Sequence, residues 1–267
     1  MLKDITLGQY FPGNTIVHKL NPCTKLILVV VYIVALFTAK SYVSYALMLA
    51  VLSACVILST IKITTILKGM KPLIIIIVIT ALLNILYTPG KVIAQFWIFK
   101  ITWEGIERSV FLIIRLMMLV TGTFLLTYTT SPIALTDGIE ILLGPLKKIK
   151  LPIHELAMMM SIALRFIPNL IEETDKIMSA QKARGADFDT GNLVQKAKAM
   201  LPILVPLFIS SFRRADELAI AMESRCYHGG EGRTRMNRIV MARRDYLALA
   251  YGAVVLCAVI ILASYGL

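Results

Sequence analysis

With 267 residues, 58% of them hydrophobic, only 16% charged and a mean hydropathy of +0.77, the chain is too apolar for an ordinary soluble domain, which sits nearer half apolar and about a quarter charged. A net charge of +12 would suggest nucleic acid in a soluble protein. Here the apolar residues gather in long runs, so basic loops held at the cytoplasmic face of a membrane explain the charge better, and no nucleic-acid partner is expected.

Residues 1–25 form a polar lead-in with Pro12, Gly13, Asn21 and Pro22. The first apolar run begins only at Leu26, without a small-residue cleavage site behind it, so it is expected to stay as a span rather than leave as a signal peptide. A spanning helix needs roughly 20 mostly apolar residues. Five runs qualify or come close: Leu26 to Thr38, Tyr42 to Thr60, Pro72 to Tyr87, Val110 to Tyr128 and Tyr246 to Tyr265. Lipid forces each of them into a helix, because its backbone polar groups must be satisfied within the segment. The fold expected is therefore an all-α integral membrane protein of about five transmembrane helices. Four of them lie within 26–130 and the last within 246–267.

Between the fourth and fifth runs, 131–245 holds most of the Lys and Arg and most of the Asp and Glu. Charge of both signs marks a structured, solvated segment. Lys3, Lys19 and Lys25 in the lead-in, and Lys62, Lys68 and Lys71 between the second and third runs, fall on the same side as this segment when the N-terminus is cytosolic. Lys40, Lys91, Lys100 and Arg108 face the other side, and the C-terminus is outside. Within 131–245, Leu151 to Lys182 and Leu193 to Tyr227 are rich in helix formers and predict two long cytosolic helices. A kink or break is expected near Pro168, and Gly185 to Asn192 reads as the loop between them. Leu156 to Ile167 and Leu201 to Phe212 are too apolar for water alone. They either pack on each other or the membrane surface, or present an adaptable, Met-bearing face to a partner.

The two long helices end alike. Ala183-Arg184-Gly185 closes the first and Ser224-Arg225-Cys226 the second, with an Ala four before each Arg, an Asp nine before it (Asp175, Asp216), and Gly185 or Gly229-Gly230 following. One reading is a helix stop written twice: a basic residue suits the helix C-terminus and glycine the position past it. The other is a pair of tips that enter two equivalent grooves, each Arg reaching in as a rigid multi-donor fork.

These paired tips, in a basic helical segment before a last span, resemble the transmembrane (T) component of energy-coupling factor transporters. So does the lead-in Tyr10-Phe11-Pro12-Gly13-Asn14-Thr15 followed by His18-Lys19-Leu20-Asn21-Pro22 and Lys25-Leu26. The chain departs from that family's common pattern at Thr15 for Ser, Asn21 for Asp, Cys23 for Arg, and Ser-Arg-Cys for Ala-Arg-Gly at the second tip. The resemblance covers essentially the whole chain. It implies a non-catalytic scaffold and transducer in the plasma membrane of a prokaryote. Two cytosolic ABC-type ATPases would dock on Ala183, Arg184, Gly185 and Ser224, Arg225, Cys226, and a substrate-binding membrane subunit, the S component, would release its substrate as the ATPases close. Leu201, Leu204, Leu207 and Phe208 are the expected S-component contacts. Vitamins are the first substrate class and transition-metal ions (cobalt or nickel) the second.

The rest of the sequence is in keeping with that reading. There is no G-x-x-x-x-G-K-[ST] phosphate loop. His18, His154 and His228 lack metal-ligand spacing, so neither a metal nor a cofactor is expected, and His154-Glu155 reads as a polar pair at a helix start. The four cysteines, Cys23, Cys55, Cys226 and Cys257, form no disulfide framework. No acidic residue lies in a span, which weakens a self-contained secondary transporter, and no Cys/His/Asp/Glu cluster supports a membrane-embedded enzyme. Arg115 is the one charge well inside a span, and it is expected to face the bundle or a partner rather than lipid.

Overall fold

The computed structural model describes residues 10–39, 41–96, 99–149, 152–188, 192–229 and 240–265. Lys3, Lys40, Gly191 and Gly230 lie outside them. Eight α-helices dominate: α1 (Pro22–Thr38), α2 (Tyr42–Ser59), α3 (Ile63–Tyr87), α4 (Trp103–Thr129), α5 (Pro132–Leu143), α6 (Ile153–Ala183), α7 (Leu193–Glu223) and α8 (Arg243–Ser264). A short 3-10 helix, Gly144–Ile149, follows α5. The protein is an all-α membrane protein with one local exception that periodicity had not indicated: a two-stranded antiparallel ribbon, β1 (Val92–Phe96) and β2 (Phe99–Thr102), between α3 and α4. The chain divides into two compact units, one of residues 8–138 with 239–267 and one of residues 139–238.

In the first unit, α2, α3, α4 and α8 are long and apolar enough to cross a membrane, and α1 is a shorter apolar helix of 17 residues. The apolar runs extend into polar flanks. Lys68 and Lys71, placed above between the second and third apolar runs, lie in the first turns of α3, and Glu104, Glu107 and Arg108 in those of α4. Local chemistry starts these helices. Asn21 caps α1 by accepting from the Cys23 amide, with Pro22 at the first helical position. Ser41 caps α2 through the Ser44 amide. Thr102 caps α4 through the Gly105 amide at 3.1 Å, and its hydroxyl also donates to the Thr88 carbonyl at 2.8 Å.

The helices alternate in direction. Asn21 meets Asp245, Leu28 lies against Gly252, and Ala35 and Leu36 share a cluster with Val259, so α1 and α8 run parallel. Lys25 reaches Thr129 and the Tyr32 hydroxyl donates to the Met118 carbonyl, so α1 and α4 run antiparallel. Gly69 lies against Tyr128, and Ser109 donates to the Ala81 carbonyl, so α3 and α4 are antiparallel as well. Tyr42 donates to Glu107 and Arg115 to Tyr45, which sets α2 parallel to α4. Large side chains such as Ile75, Ile76 and Val254 stand outward, as lipid-facing positions must. Few residues are buried, and a cluster of Ala35, Leu36, Tyr45, Met48, Met118 and Val259 forms the centre.

In the second unit, α6 and α7 are each 31 residues long. The helix α6 continues through Pro168 rather than breaking there. Glu173 joins the pair: it accepts from Arg214 at 2.6 Å and from the Ser210 hydroxyl. The Gln181 amide donates to the Pro202 carbonyl. These pairings run in opposite senses along the two helices, so α6 and α7 are antiparallel. Among the described side chains of α7, Ile203 is the buried one.

Candidate coupling site

The two Arg-bearing tips have the same backbone. After α6, the Gly185 amide donates to the Lys182 carbonyl at 3.0 Å and the Ala186 amide to the Gln181 carbonyl at 3.0 Å. After α7, the Cys226 amide donates to the Glu223 carbonyl at 2.8 Å and the Tyr227 amide to the Met222 carbonyl at 3.1 Å. This is the paired bonding that closes a helix through a left-handed residue. Gly185 takes that residue's place in the first tip with φ +89°, and Cys226 in the second with φ +55°. Arg184 and Arg225 therefore both stand directly before the left-handed residue, each with its amide on the carbonyl three residues back, and both are exposed. Ala183, the last residue of α6, and Ser224, the cap of α7, precede them. The helix stop is real and explains the sequence register of the motif. It leaves two guanidinium groups presented to solvent at equivalent points.

The tips are also placed alike relative to the clamp between the helices. Arg184 lies 11 residues after Glu173 (184 − 173), and Arg225 lies 11 after Arg214 (225 − 214). At 1.5 Å per residue each tip projects about 16 Å beyond the clamp. Because α6 and α7 are antiparallel, the two projections point to opposite ends of the pair.

Between the tips, α7 carries an apolar ridge. Leu201, Leu204, Val205, Phe208, Ile209 and Phe212 are all exposed and recur at the three- and four-residue spacing of one helix face. The Phe208 and Phe212 rings meet edge to face at 4.7 Å. Of the four ridge residues named from the sequence, Leu201, Leu204 and Phe208 lie on this face. Leu207 is half-buried and lies off it. Val205, Ile209 and Phe212 complete the ridge. The spacing was available in the sequence, but choosing between its two faces requires knowing that Ile203 is the one packed inward. On α6, Leu156, Met159 and Met160 are exposed too. His154, read from the sequence as a polar pair with Glu155, pairs with Glu140 at 3.1 Å.

The family-like lead-in has a structural task in the membrane unit. The His18 ring bonds Thr15 Oγ1 at 2.6 Å and the Phe11 carbonyl at 3.1 Å, and Gly13 lets that ring pack where a Cβ would stand 2.8 Å from it. The Phe11 amide donates to the Tyr128 carbonyl. Lys25, buried, places its three ammonium hydrogens on the His18 carbonyl, the Thr129 carbonyl and Thr130 Oγ1, at 3.2, 2.8 and 3.2 Å. Asp245, 1% exposed, accepts from the Asn21 and Ala242 amides, both at 2.8 Å. The lead-in is thus tied to the end of α4 and the start of α8, where the chain leaves the bundle and where it re-enters. Sequence reasoning left Lys25 among the topology charges and missed Asp245.

Arg115 faces the bundle. Its Nε donates to the Tyr45 hydroxyl at 2.7 Å and its terminal nitrogen to the Ala39 carbonyl at 3.2 Å, while the guanidinium stacks near the Phe37 and Tyr45 rings. It satisfies the carbonyl end of α1. Among the described residues, no group of three or more His, Cys, Asp or Glu side chains gathers as a metal site would require.

Comparison with known proteins bears on both units. A family model described as "Cobalt transport protein" matches residues 13–236. The chain is 54% identical over 259 residues to the energy-coupling factor transporter transmembrane protein EcfT of Clostridium kluyveri, covering 96% of each protein. It is 53% identical over 247 residues to the protein so named in Thermosediminibacter oceani, covering 92% of this chain and 93% of that one. It is 48% identical over 246 residues to that of Bacillus subtilis, with 92% and 93% covered.

Proposed function

Because the chain belongs to the family of energy-coupling factor transporter transmembrane proteins, we propose that it is the scaffold and transducer of its transporter, with ATP hydrolysis carried out on partner subunits. Two ABC-type ATPases dock on the tips, one at Arg184 and one at Arg225. Their closure on ATP moves the tips, and α6 and α7 carry that movement to an S component seated on the α7 ridge. The observation that carries this reading is the identity of the two caps. The same hydrogen bonds, the same place for Arg directly before the left-handed residue and the same 11-residue spacing from the clamp suit two copies of one kind of groove.

The direction of the helices and the distribution of Lys and Arg support an orientation. The lead-in and the ends of α4 and α8 that flank 131–242 lie at one end of the bundle, and we assign that end to the cytosol, with the C-terminus outside. A thiol introduced by Gln195→Cys should label with an impermeant maleimide only from the cytosolic side; labelling only from outside would reverse the topology. Substrate choice rests with the S component. A vitamin is our first assignment and a transition-metal ion, named in the family description, the second.

The deciding experiment is copurification. Co-expressed with its ATPases and S component, the parent chain should bring down both ATPases, and the chain carrying Arg184→Ala and Arg225→Ala should lose them or lose coupling of hydrolysis to uptake. If that double variant assembles and transports like the parent, the arginines are helix stops only.

A further inference from the structure

The membrane unit contains a cavity of about 500 Å³ that no step of the coupling scheme uses. It runs between α1, α2, α4 and α8, with Leu28, Leu52, Leu125, Ala248 and Tyr251 among its walls. Its lining is aliphatic and aromatic along nearly its whole length. The exceptions cluster at one end, at Lys25, Thr129 and Arg244. Lys25 is spent there: its three ammonium hydrogens already bond protein oxygens, so only its stem faces the cavity. Arg244 is exposed, and no acidic side chain among the described residues pairs with it. Its neighbour Asp245 has its two carboxylate oxygens committed to the Asn21 and Ala242 amides. Arg243, also exposed, stands beside it at the first turn of α8.

We infer that this cavity holds one acyl chain of an anionic phospholipid, with the phosphodiester on Arg244. Three observations meet in that occupant. The cavity is apolar, and Leu247 and Tyr251 on its α8 wall are exposed, which suits a hydrocarbon better than a polar solute. Its wall on α8 runs from Arg244 to Val255, 11 residues or about 16 Å. That matches one leaflet, half of a hydrocarbon core about 30 Å thick. Its single available charge is positive and lies at the end where the headgroups of that leaflet stand. Cations are unfavourable at a helix N-terminus, and the one acid of that first turn, Asp245, is held inward by the Asn21 and Ala242 amides; a phosphate against the exposed arginines offsets their charge. The lipid would fill the space between α8 and α2 and hold the last span against the bundle.

The test uses the full chain purified into nanodiscs of equal parts phosphatidylglycerol and phosphatidylcholine, with retained lipid read by native mass spectrometry after release. The parent should retain one phosphatidylglycerol in preference to phosphatidylcholine, by about fivefold for one well-placed arginine near the surface. Arg244→Gln should abolish the preference while the chain still folds, as judged by an unchanged helical spectrum. Ala248→Phe, which fills the cavity, should lose the retained lipid of either headgroup with Arg244 still present. Soluble glycerol phosphate should not compete. Equal retention of the two lipids by the parent, or an undiminished preference in Arg244→Gln, would overturn the inference. So would an Ala248→Phe variant that keeps its lipid but fails to bind the S component, because the cavity would then be a protein interface.

Discussion

The tip after α6 and the tip after α7 reach one geometry with different residues. At the left-handed position the first uses Gly185, which has no Cβ to strain, and the second uses Cys226, at φ +55°. For an ordinary L-residue that conformation costs roughly 1–2 kcal/mol relative to the right-handed helix. The residue before it is arginine in both. What varies is therefore the residue that the backbone would choose, and what stays is the residue that the backbone does not need: a helix cap tolerates many side chains at that point. The comparison separates the requirement for a stop from the requirement for a guanidinium, and it makes the second a matter for a partner.

The largest effect expected falls on the shared arginine. Truncating one partner of a buried, hydrogen-bonded charge pair typically costs about 2–5 kcal/mol, which at about 1.4 kcal/mol per tenfold is some 30- to 4000-fold in affinity at that tip. With the other tip intact, docking of a paired ATPase is partly intramolecular. Arg184→Ala or Arg225→Ala alone should therefore leave an assembled complex with poor uptake, measured by ATPase stoichiometry and transport in liposomes. Lys at either position should rescue only in part, because it keeps the charge without the planar fork. Equal rescue by Lys would reduce the tips to point charges.

The arms differ next in the ridge, which α7 has and α6 lacks in that form. Phe208→Asp should weaken S-component association by about 2 kcal/mol or more, the scale of an interface hot spot, and leave ATPase binding nearly unchanged. Leu207→Asp should act less selectively, since Leu207 is half-buried and off the ridge. Pull-down of each partner separately reads both. If the two variants behave alike, the ridge is not the docking face.

A smaller effect should follow from exchanging the two left-handed residues. Cys226→Gly should stabilise the second tip and Gly185→Cys should destabilise the first, each by about 1 kcal/mol. Hydrogen exchange of the Tyr227 and Ala186 amides, which close the two caps, measures this directly. No change in either amide would mean that the caps are held by something other than the left-handed turn. Smallest is the clamp. The Glu173–Arg214 pair is partly exposed, so Glu173→Gln should cost at most about 1 kcal/mol of stability. Its larger signature should be lost coupling, with hydrolysis continuing while uptake falls, if the proposed movement of both tips passes through that point.

Local pattern revealed the tips because everything that makes them lies within a few residues: a helical run, a cap, a left-handed residue. The ridge was only half legible. Its spacing could be read from 201–212, but Leu207 falls on the wrong side of a boundary that is set by packing against α6. The extent of the spans was legible in its apolar centres and not at its ends. Lys68, Lys71 and Glu104 sit on helices that continue past the apolar run, since a helix once nucleated adds turns at little cost.

What the sequence determined by itself was the chemistry of long runs and short motifs. Apolar segments in lipid have to be helices, and the order and spacing of the lead-in and tips identified the family. What only the tertiary structure decided was the partner of each isolated polar group. Lys25 bonds the end of α4, more than a hundred residues away; Asp245 bonds Asn21 across more than two hundred; Arg115 closes the carbonyl end of α1. A buried charge in an apolar bundle must be compensated, but nothing near it in the chain says by what, because the compensating groups are brought together only when the helices pack.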